Sequence, residues 1–433
     1  MKNLKLLLIG TLSFCSLLLH AQLKFDAELR PRTEVRHGYK NLPDSGSLPA
    51  FFVSQRSRIG VNYKHEKYEM RLLIQDVRVW GDEAYYSSTG IYGDYSSLDL
   101  KEAWVKLMPT ENFSLKIGRQ QLKYGDQRLL AARNWNQNGM SYDAIVASYK
   151  NKFQLDAGFS YNAGTENTFE TIYDTNKIKT FNYLYLNNEW FPGFKSSLIY
   201  IASGYQKSTN AGVIYLKNTL GADATYNISN TSLSVSGYSQ FGKNRLGTNV
   251  NAFLLSASIK QKINPLTIGI GGDIVSGHDY SNADSDYSNT DHQFDLLYGA
   301  RHSYFGYMDY FSNLPKATKG AGIIDAYFKT DYKVTEKLSA QADYHYLMLQ
   351  NNVPEPNTGS NYDKGMGSEV DFTIKYNPMN EINIALGYSF FIATQTMESF
   401  QKIKASAGTE FPQWAYVMLT FKPDFYSESK EKK

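Results

Sequence analysis

From Leu23 to Arg36 the chain alternates almost without a break. Lys24, Asp26, Glu28, Arg30, Arg32, Glu34 and Arg36 fall on one face; Leu23, Phe25, Ala27, Leu29, Pro31, Thr33 and Val35 fall on the other. A period of two over that length predicts a β-strand with one charged and one mostly apolar face. Val53–Tyr63 repeats the pattern, with Arg56, Arg58 and Asn62 opposite Ile59, Val61 and Tyr63. Tyr68–Trp80 sets Glu69, Arg71 and Gln75 against Met70, Leu72 and Ile74, then slips phase near Asp76, as at a bulge. Leu98–Leu107, Phe113–Lys123, Tyr142–Tyr149, Phe153–Tyr161, Thr231–Phe241, Ile323–Tyr332, Leu338–Tyr346, Glu369–Tyr376, Ile382–Phe391 and Trp414–Phe421 alternate as clearly. Weaker segments near 181–187, 195–202, 213–226, 251–260 and 266–274 bring the expected count to eighteen strands.

The connectors carry a second regularity. Every other one is short, as at Lys64–Lys67, Pro109–Asn112, Lys150–Lys152 and Lys333–Lys337. Those between are long and rich in Gly, Ser, Asn and Asp, among them 37–52, 81–97, 124–141, 203–212, 242–250, 275–320 and 393–411. Short turns alternating with long loops predict an all-β fold, a transmembrane antiparallel β-barrel with short periplasmic turns and long extracellular loops. Polar rows then face the lumen and apolar rows face lipid. An even strand number returns both ends to the periplasm.

Composition agrees with that membrane setting. Tyr 34, Phe 24 and Trp 5 make the aromatic content 15%, and Tyr and Trp concentrate at membrane–water interfaces. Mean hydropathy is −0.44, and no run after residue 21 approaches the roughly 18 apolar residues of a spanning helix. Met1–Ala21 reads as a secretory signal: Lys2 and Lys5, the apolar run Leu6–Leu19, then His20-Ala21. Cys15 lies inside it behind the bulky Phe14, so a lipoprotein anchor is disfavoured, and the chain after cleavage has no cysteine for disulfides or thiolate metal sites. The expected organisation is residues 1–21 as signal peptide, 22–422 as barrel and 423–433 as a hydrophilic periplasmic tail, in the outer membrane of a Gram-negative bacterium. With Lys2 and Lys5 removed, 43 basic residues face 42 acidic ones, so only the placement of charge is informative.

That placement is uneven. Of twelve arginines, ten lie between Arg30 and Arg133. The densest stretch is Phe113–Tyr149, where two alternating segments flank a loop read as carrying Arg119, Asp126, Arg128, Arg133 and Asp143. Successive barrel strands are neighbours, so Arg30, Arg32, Arg56, Arg58, Arg71, Arg119, Arg128 and Arg133 are expected to form one contiguous translocation wall. Guanidinium groups bind carboxylates and phosphates bidentately, and rings of such charge select anions. Asp126 and Asp143 are expected to support the loop as partners of Arg128 or Arg133. The competing account pairs these arginines with Asp26, Glu28, Glu34, Glu69, Asp76 and Glu102, as self-neutralised register-holding bridges. Trp80, Trp104 and Trp135 are candidates for stacking on sugar rings or for plain packing.

Catalytic signals are sparse. Six histidines follow the signal, with neither HExxH nor GxSxG. His345 and Ser339 are the nearest Ser–His combination, too far apart along one strand to bond. Asp279, Asp284, Asp286 and Asp291 lie in the long late loop, as a solvated acidic segment or a calcium ligand set. No cofactor motif and no nucleic-acid motif is present; the expected partners are outer-membrane lipid and an anionic solute.

Several stretches resemble the alginate-export family of outer-membrane porins. GRQQLKYG at Gly118–Gly125, DQRLL at Asp126–Leu130, NW at Asn134-Trp135 and YDAIVASY at Tyr142–Tyr149 are similar to its most distinctive block. QRSRIGV at Gln55–Val61, QDVRVWG at Gln75–Gly81, EAWVKL at Glu102–Leu107, SGHD at Ser276–Asp279 and HSYFGYMDYF at His302–Phe311 extend the likeness over most of the chain. The resemblance implies an 18-stranded monomeric barrel with an electropositive constriction, passing anionic solutes or a polyuronate by diffusion. A structural or adhesive barrel with ligand-binding loops is the alternative, and an outer-membrane hydrolase the third.

Overall fold

The computed structural model of the chain describes residues 22–81, 98–356, 358–403 and 408–427. The expected signal peptide, most of the 81–97 loop and the tail beyond 427 lie outside the described residues. The strands are β1 (Gln22–His37), β2 (Ala50–Lys64), β3 (Tyr68–Val79), β4 (Asp99–Leu107), β5 (Phe113–Gln120), β6 (Tyr142–Lys150), β7 (Gln154–Tyr161), β8 (Thr180–Phe191) and β9 (Phe194–Lys207). They continue as β10 (Asn210–Ile228), β11 (Thr231–Lys243), β12 (Asn249–Ile263), β13 (Leu266–Val275), β14 (Ile323–Lys333), β15 (Leu338–Leu349), β16 (Gly365–Met379), β17 (Ile382–Ala393) and β18 (Gln413–Phe421). Consecutive strands pair antiparallel, and β18 returns to β1 from Leu29↔Phe421 to His37↔Gln413, closing an eighteen-stranded cylinder. Beyond it, the short strand β19 (Asp424–Ser427) continues along β1 at Lys24–Asp26.

Side-chain exposure sorts the two faces as the alternation requires. In β1, Arg30 and Glu34 are 5% and 1% exposed, whereas Leu29 and Val35 are 40% and 41% exposed. The second row belongs to the outer surface, where lipid would cover it. No helix among the described residues is long and apolar enough to cross a membrane; strands make the crossing.

Two local expectations are corrected. The 203–212 stretch is no loop: β9 and β10 continue through it, pairing Ser203↔Lys217 and Tyr205↔Tyr215 up to Lys207. Ser203 is buried on the inward row, and Gln206 is buried under Tyr173 and Lys179, so polar residues there resemble loop composition. The irregularity expected near Asp76 sits instead in β4. Leu73 pairs with Glu102 and Ile74 with Leu100, which leaves Lys101 as the extra residue of a bulge, buried inside the barrel.

The lumen is not an open tube. Eighteen strands about 4.8 Å apart and tilted about 40° enclose a backbone cylinder of roughly 35 Å, and residues 121–141 and 276–322 fold into it. Leu130, Met308, Phe311 and Leu314 bury their side chains there against inner-wall Ile201, Leu254, Leu347 and Phe391. The two loops join each other through a parallel bridge at Leu130↔Tyr298, with Ala131 N–H donating to the Tyr298 carbonyl at 3.3 Å. Gly299 lies so close to the Arg128 carbonyl that any Cβ would collide with it.

Candidate functional site

The 121–141 loop leaves β5 at Gln120 and rejoins β6 at Tyr142, two residues paired across the ladder. It therefore leaves and returns at one point on the wall and must be held by what it meets inside. On one side it meets β1–β3. Arg30 donates to the Asn134, Trp135 and Asn136 carbonyls at 2.6, 3.1 and 3.1 Å and to Gln137 Oε1 at 2.9 Å. Arg32 donates to the Trp135 carbonyl at 3.1 Å. Arg56 reaches the carbonyls of Asn134, Asn136 and Gln137, and Arg58 that of Asn138. Gly139 follows with φ +61, and a Cβ there would stand 3.0 Å from Lys101 Nζ and 3.3 Å from Arg58 Nη2. Glycine takes the left-handed backbone without strain and leaves both cationic ends undisplaced.

On the far side the loop meets β12 and β13. Arg128 donates to Asp273 Oδ1 at 2.6 Å and Ser256 Oγ at 2.9 Å, lies 3.3 Å from Asp126 Oδ2, and stacks over Tyr304 at 3.9 Å. Arg133 donates to the Gly299 and Leu297 carbonyls of the second loop. From below, three inward tyrosines brace the loop: Tyr183 bonds Tyr124 at 2.9 Å, Tyr238 donates to Asp126 at 2.7 Å, and Tyr416 meets the Trp135 ring edge-on at 5.1 Å. Each tyrosine lies flat over a glycine directly across the ladder, Gly158, Gly221 and Gly387 respectively.

The single arginine wall is therefore corrected in part. Arg30, Arg32, Arg56, Arg58 and Arg71 share the β1–β3 inner face. Arg128 and Arg133 leave it because their loop crosses the lumen. Arg119 faces outward on the row of Ile117 and Ile145, paired with Asp143 at 3.1 Å, because Gln120 and Ala144 occupy the inward positions. Asp126 partners Arg128, as expected; Asp143 partners neither Arg128 nor Arg133. Within the wall, Arg32–Glu34, Arg56–Glu28 and Arg71–Asp26 are ion pairs. Arg30 and Arg58 bond only neutral oxygens, and among the described residues neither they nor Lys101 has an ion-pair partner. The bulge that carries Lys101 inward had no signal in the alternation of β4.

The other candidates are occupied by structure. Trp135 stacks on His302 at 4.1 Å, and Arg32 sits 4.6 Å from its ring centre. Trp104 donates to Glu102 at 2.9 Å, and Trp80 to Gln55 at 3.0 Å. His345 bonds Asp325 at 2.9 Å, six rungs along the ladder from Ser339. Asp284 caps the short helix Ser285–Ser288, and among the described residues no cluster of metal ligands exists.

Space remains on both sides of Asn134. An outer cavity of about 450 Å³ is lined by Lys40, Lys123, Arg133, Arg301 and His302, with Asp309 as its carboxylate. An inner one of about 420 Å³ is lined by Arg56, Arg58, Arg71 and Lys422 with Asp26, Glu28 and Glu102. Asn134 lines both. Burial, and then the nearby Arg301, hold the Arg133 guanidinium below its usual range, as expected of like charges sharing a confined space. Asp309 anchors the second loop, bonded by Tyr39 and by His302 at 2.9 Å. Burial pushes its carboxyl up, but His302 and Tyr39 outweigh this and hold it below the ordinary 3.8. A depressed carboxylate stabilises the fold above its unfolded value and loses that contribution as pH falls through its folded value. Acidification below about pH 4 should therefore loosen this anchor. The readout is Asp309→Asn, which should remove the acid-induced part of the channel's current noise.

The barrel is similar to crystal structures of Pseudomonas aeruginosa OccK3 (OpdO), with TM-score 0.61 at 11% identity over 93% of this chain and 96% of that one. Pseudomonas aeruginosa OccD3 (OpdP) gives 0.58 at 12% over 93% and 92%. Acinetobacter baumannii OccAB2 gives 0.58 at 14% over 93% and 98%. At such identities the likeness is one of fold. None of the curated proteins matches the chain in sequence. The sequence does match the alginate export family over residues 21–407. With a closed eighteen-stranded barrel and a match over most of its length, the chain belongs to the alginate export family and is an outer-membrane channel, not an enzyme.

Proposed function

We propose that the channel passes anionic solutes, including acidic oligo- or polysaccharide such as alginate, through a constriction lined by cationic side chains. The observation that supports this reading most is the pair of cavities meeting at Asn134. Lys40, Lys123, Arg133 and Arg301 face Asp309 in the outer one, and among the described residues Arg30, Arg58 and Lys101 have no ion-pair partner, with Glu28 and Glu102 as the nearby carboxylates. In a confined space of effective dielectric near 20, a guanidinium about 4 Å from a carboxylate gains on the order of 4 kcal/mol before desolvation is subtracted. The family name fits an acidic polymer. The same reading takes residues 1–21 as a signal cleaved near Ala21, residues beyond 422 as a periplasmic tail and the barrel as a monomer in lipid.

Two measurements test it. Liposomes carrying the protein should swell faster in potassium galacturonate than in glucosamine hydrochloride; the reverse order overturns the proposal. Replacing Arg58 and Lys101 together by Ala should move the reversal potential in a salt gradient towards zero, because two cations are removed and Glu28 and Glu102 remain beside them. A second reading, a closed structural or adhesive barrel, draws on the packed interior around Leu130, Met308 and Phe311. It predicts no conductance at all.

A further inference from the structure

A cavity of about 630 Å³ opens at the long-loop end of the barrel. We propose that it is a carbohydrate-binding vestibule that holds a carboxylate-bearing oligosaccharide on the outer side of the constriction; its charge preference rests on the anion-channel reading. Tyr280 supplies an aromatic platform, 45% exposed and fixed in orientation because its hydroxyl donates to the Lys319 carbonyl at 2.8 Å. A fixed ring offers an apolar face to a pyranose without the entropic cost of ordering a free side chain. Beside it stand planar polar groups already held in place. Asn244 donates to Asp291 at 2.8 Å, and Arg245 bonds Asn176. Few, convergent polar groups on a partly apolar lining are the usual anatomy of a small-ligand site. Lys217 is neutralised by Asp295, whereas Arg245 and Arg301 have no ion-pair partner among the described residues.

Arg301 ties this cavity to the channel. Its guanidinium donates to the Ser312 and Leu297 carbonyls at 3.0 and 3.1 Å, and its buried Nε has no partner. Arg301, Ser312 and Asn313 line both the vestibule and the outer constriction cavity. A saccharide seated against Tyr280 therefore lies in a space whose lining continues, through Arg301, into the outer constriction cavity.

Calorimetric titration of the detergent-solubilised full-length protein with trigalacturonate tests this, with maltotriose as the neutral trisaccharide. Trigalacturonate should bind more tightly than maltotriose. Tyr280→Ala and Asn244→Ala should each weaken it roughly tenfold, and Tyr280→Phe, which keeps the ring, should retain most of the affinity. Heat-modified electrophoretic mobility verifies that each variant is folded. Equal binding of the two sugars, or unchanged affinity in folded Tyr280→Ala, overturns the proposal. Cation preference in the wild-type reversal potential would reject the anion-channel reading separately, whatever the titration gives.

Discussion

Excision of Leu122–Met140 should raise single-channel conductance several-fold and strengthen anion preference at the same time. Gln120 and Tyr142 are already paired, so Gln121 and Ser141 become a two-residue hairpin loop, a common connection between antiparallel strands. The excision removes the segment that, among the described residues, accepts every Arg30 side-chain hydrogen bond. It also frees Arg32, Arg56 and Arg58 of their loop carbonyls, leaving their forks to face the lumen. With residues 276–322 left as the remaining inward loop described, the lumen widens towards the aqueous channel that an eighteen-stranded diameter allows. Planar-bilayer recording reads both quantities. Unchanged conductance would mean that ions bypass the loop.

Gly221→Val should destabilise the folded barrel by about 1–3 kcal/mol, the usual cost of forcing extra methyl groups into a packed site. The ring of Tyr238 occupies the space the side chain needs. Displacing it breaks the 2.7 Å bond to Asp126, beside which Arg128 is clamped to Asp273. The effect should appear twice, as a lower temperature of heat-modified mobility and as larger open-channel noise. Tyr238→Phe removes only the hydroxyl and should show the noise with a smaller loss, about 0.5–1.5 kcal/mol.

The barrel was legible because one residue of shift exchanges the lipid and lumen faces, so β1 must alternate almost without a break and does. Strand number followed from the connectors for the same reason. The inward loops left a subtler trace. Towards the loop ends, Val250, Ala252 and Leu254 in β12 and Leu347 and Leu349 in β15 turn inward as apolar residues. From Ala252 to Leu255 and from Leu347 to Leu349 both faces are apolar, which marks an interior filled by protein rather than water. The site was less legible because its geometry is non-local. Arg30 meets Asn134 across 104 positions, and carbonyl acceptors carry no residue-type signal. Arg119 belonged to the right sequence block but to the outward parity of β5. Lys101 reached the interior only through a bulge.

The most direct test of the account is the reversal potential of the purified wild-type protein in a planar bilayer across a potassium chloride gradient. Chloride carrying most of the current, with the preference reduced in the Arg58/Lys101 double alanine variant, is the predicted result. Potassium selectivity in a conducting, correctly folded barrel would contradict it.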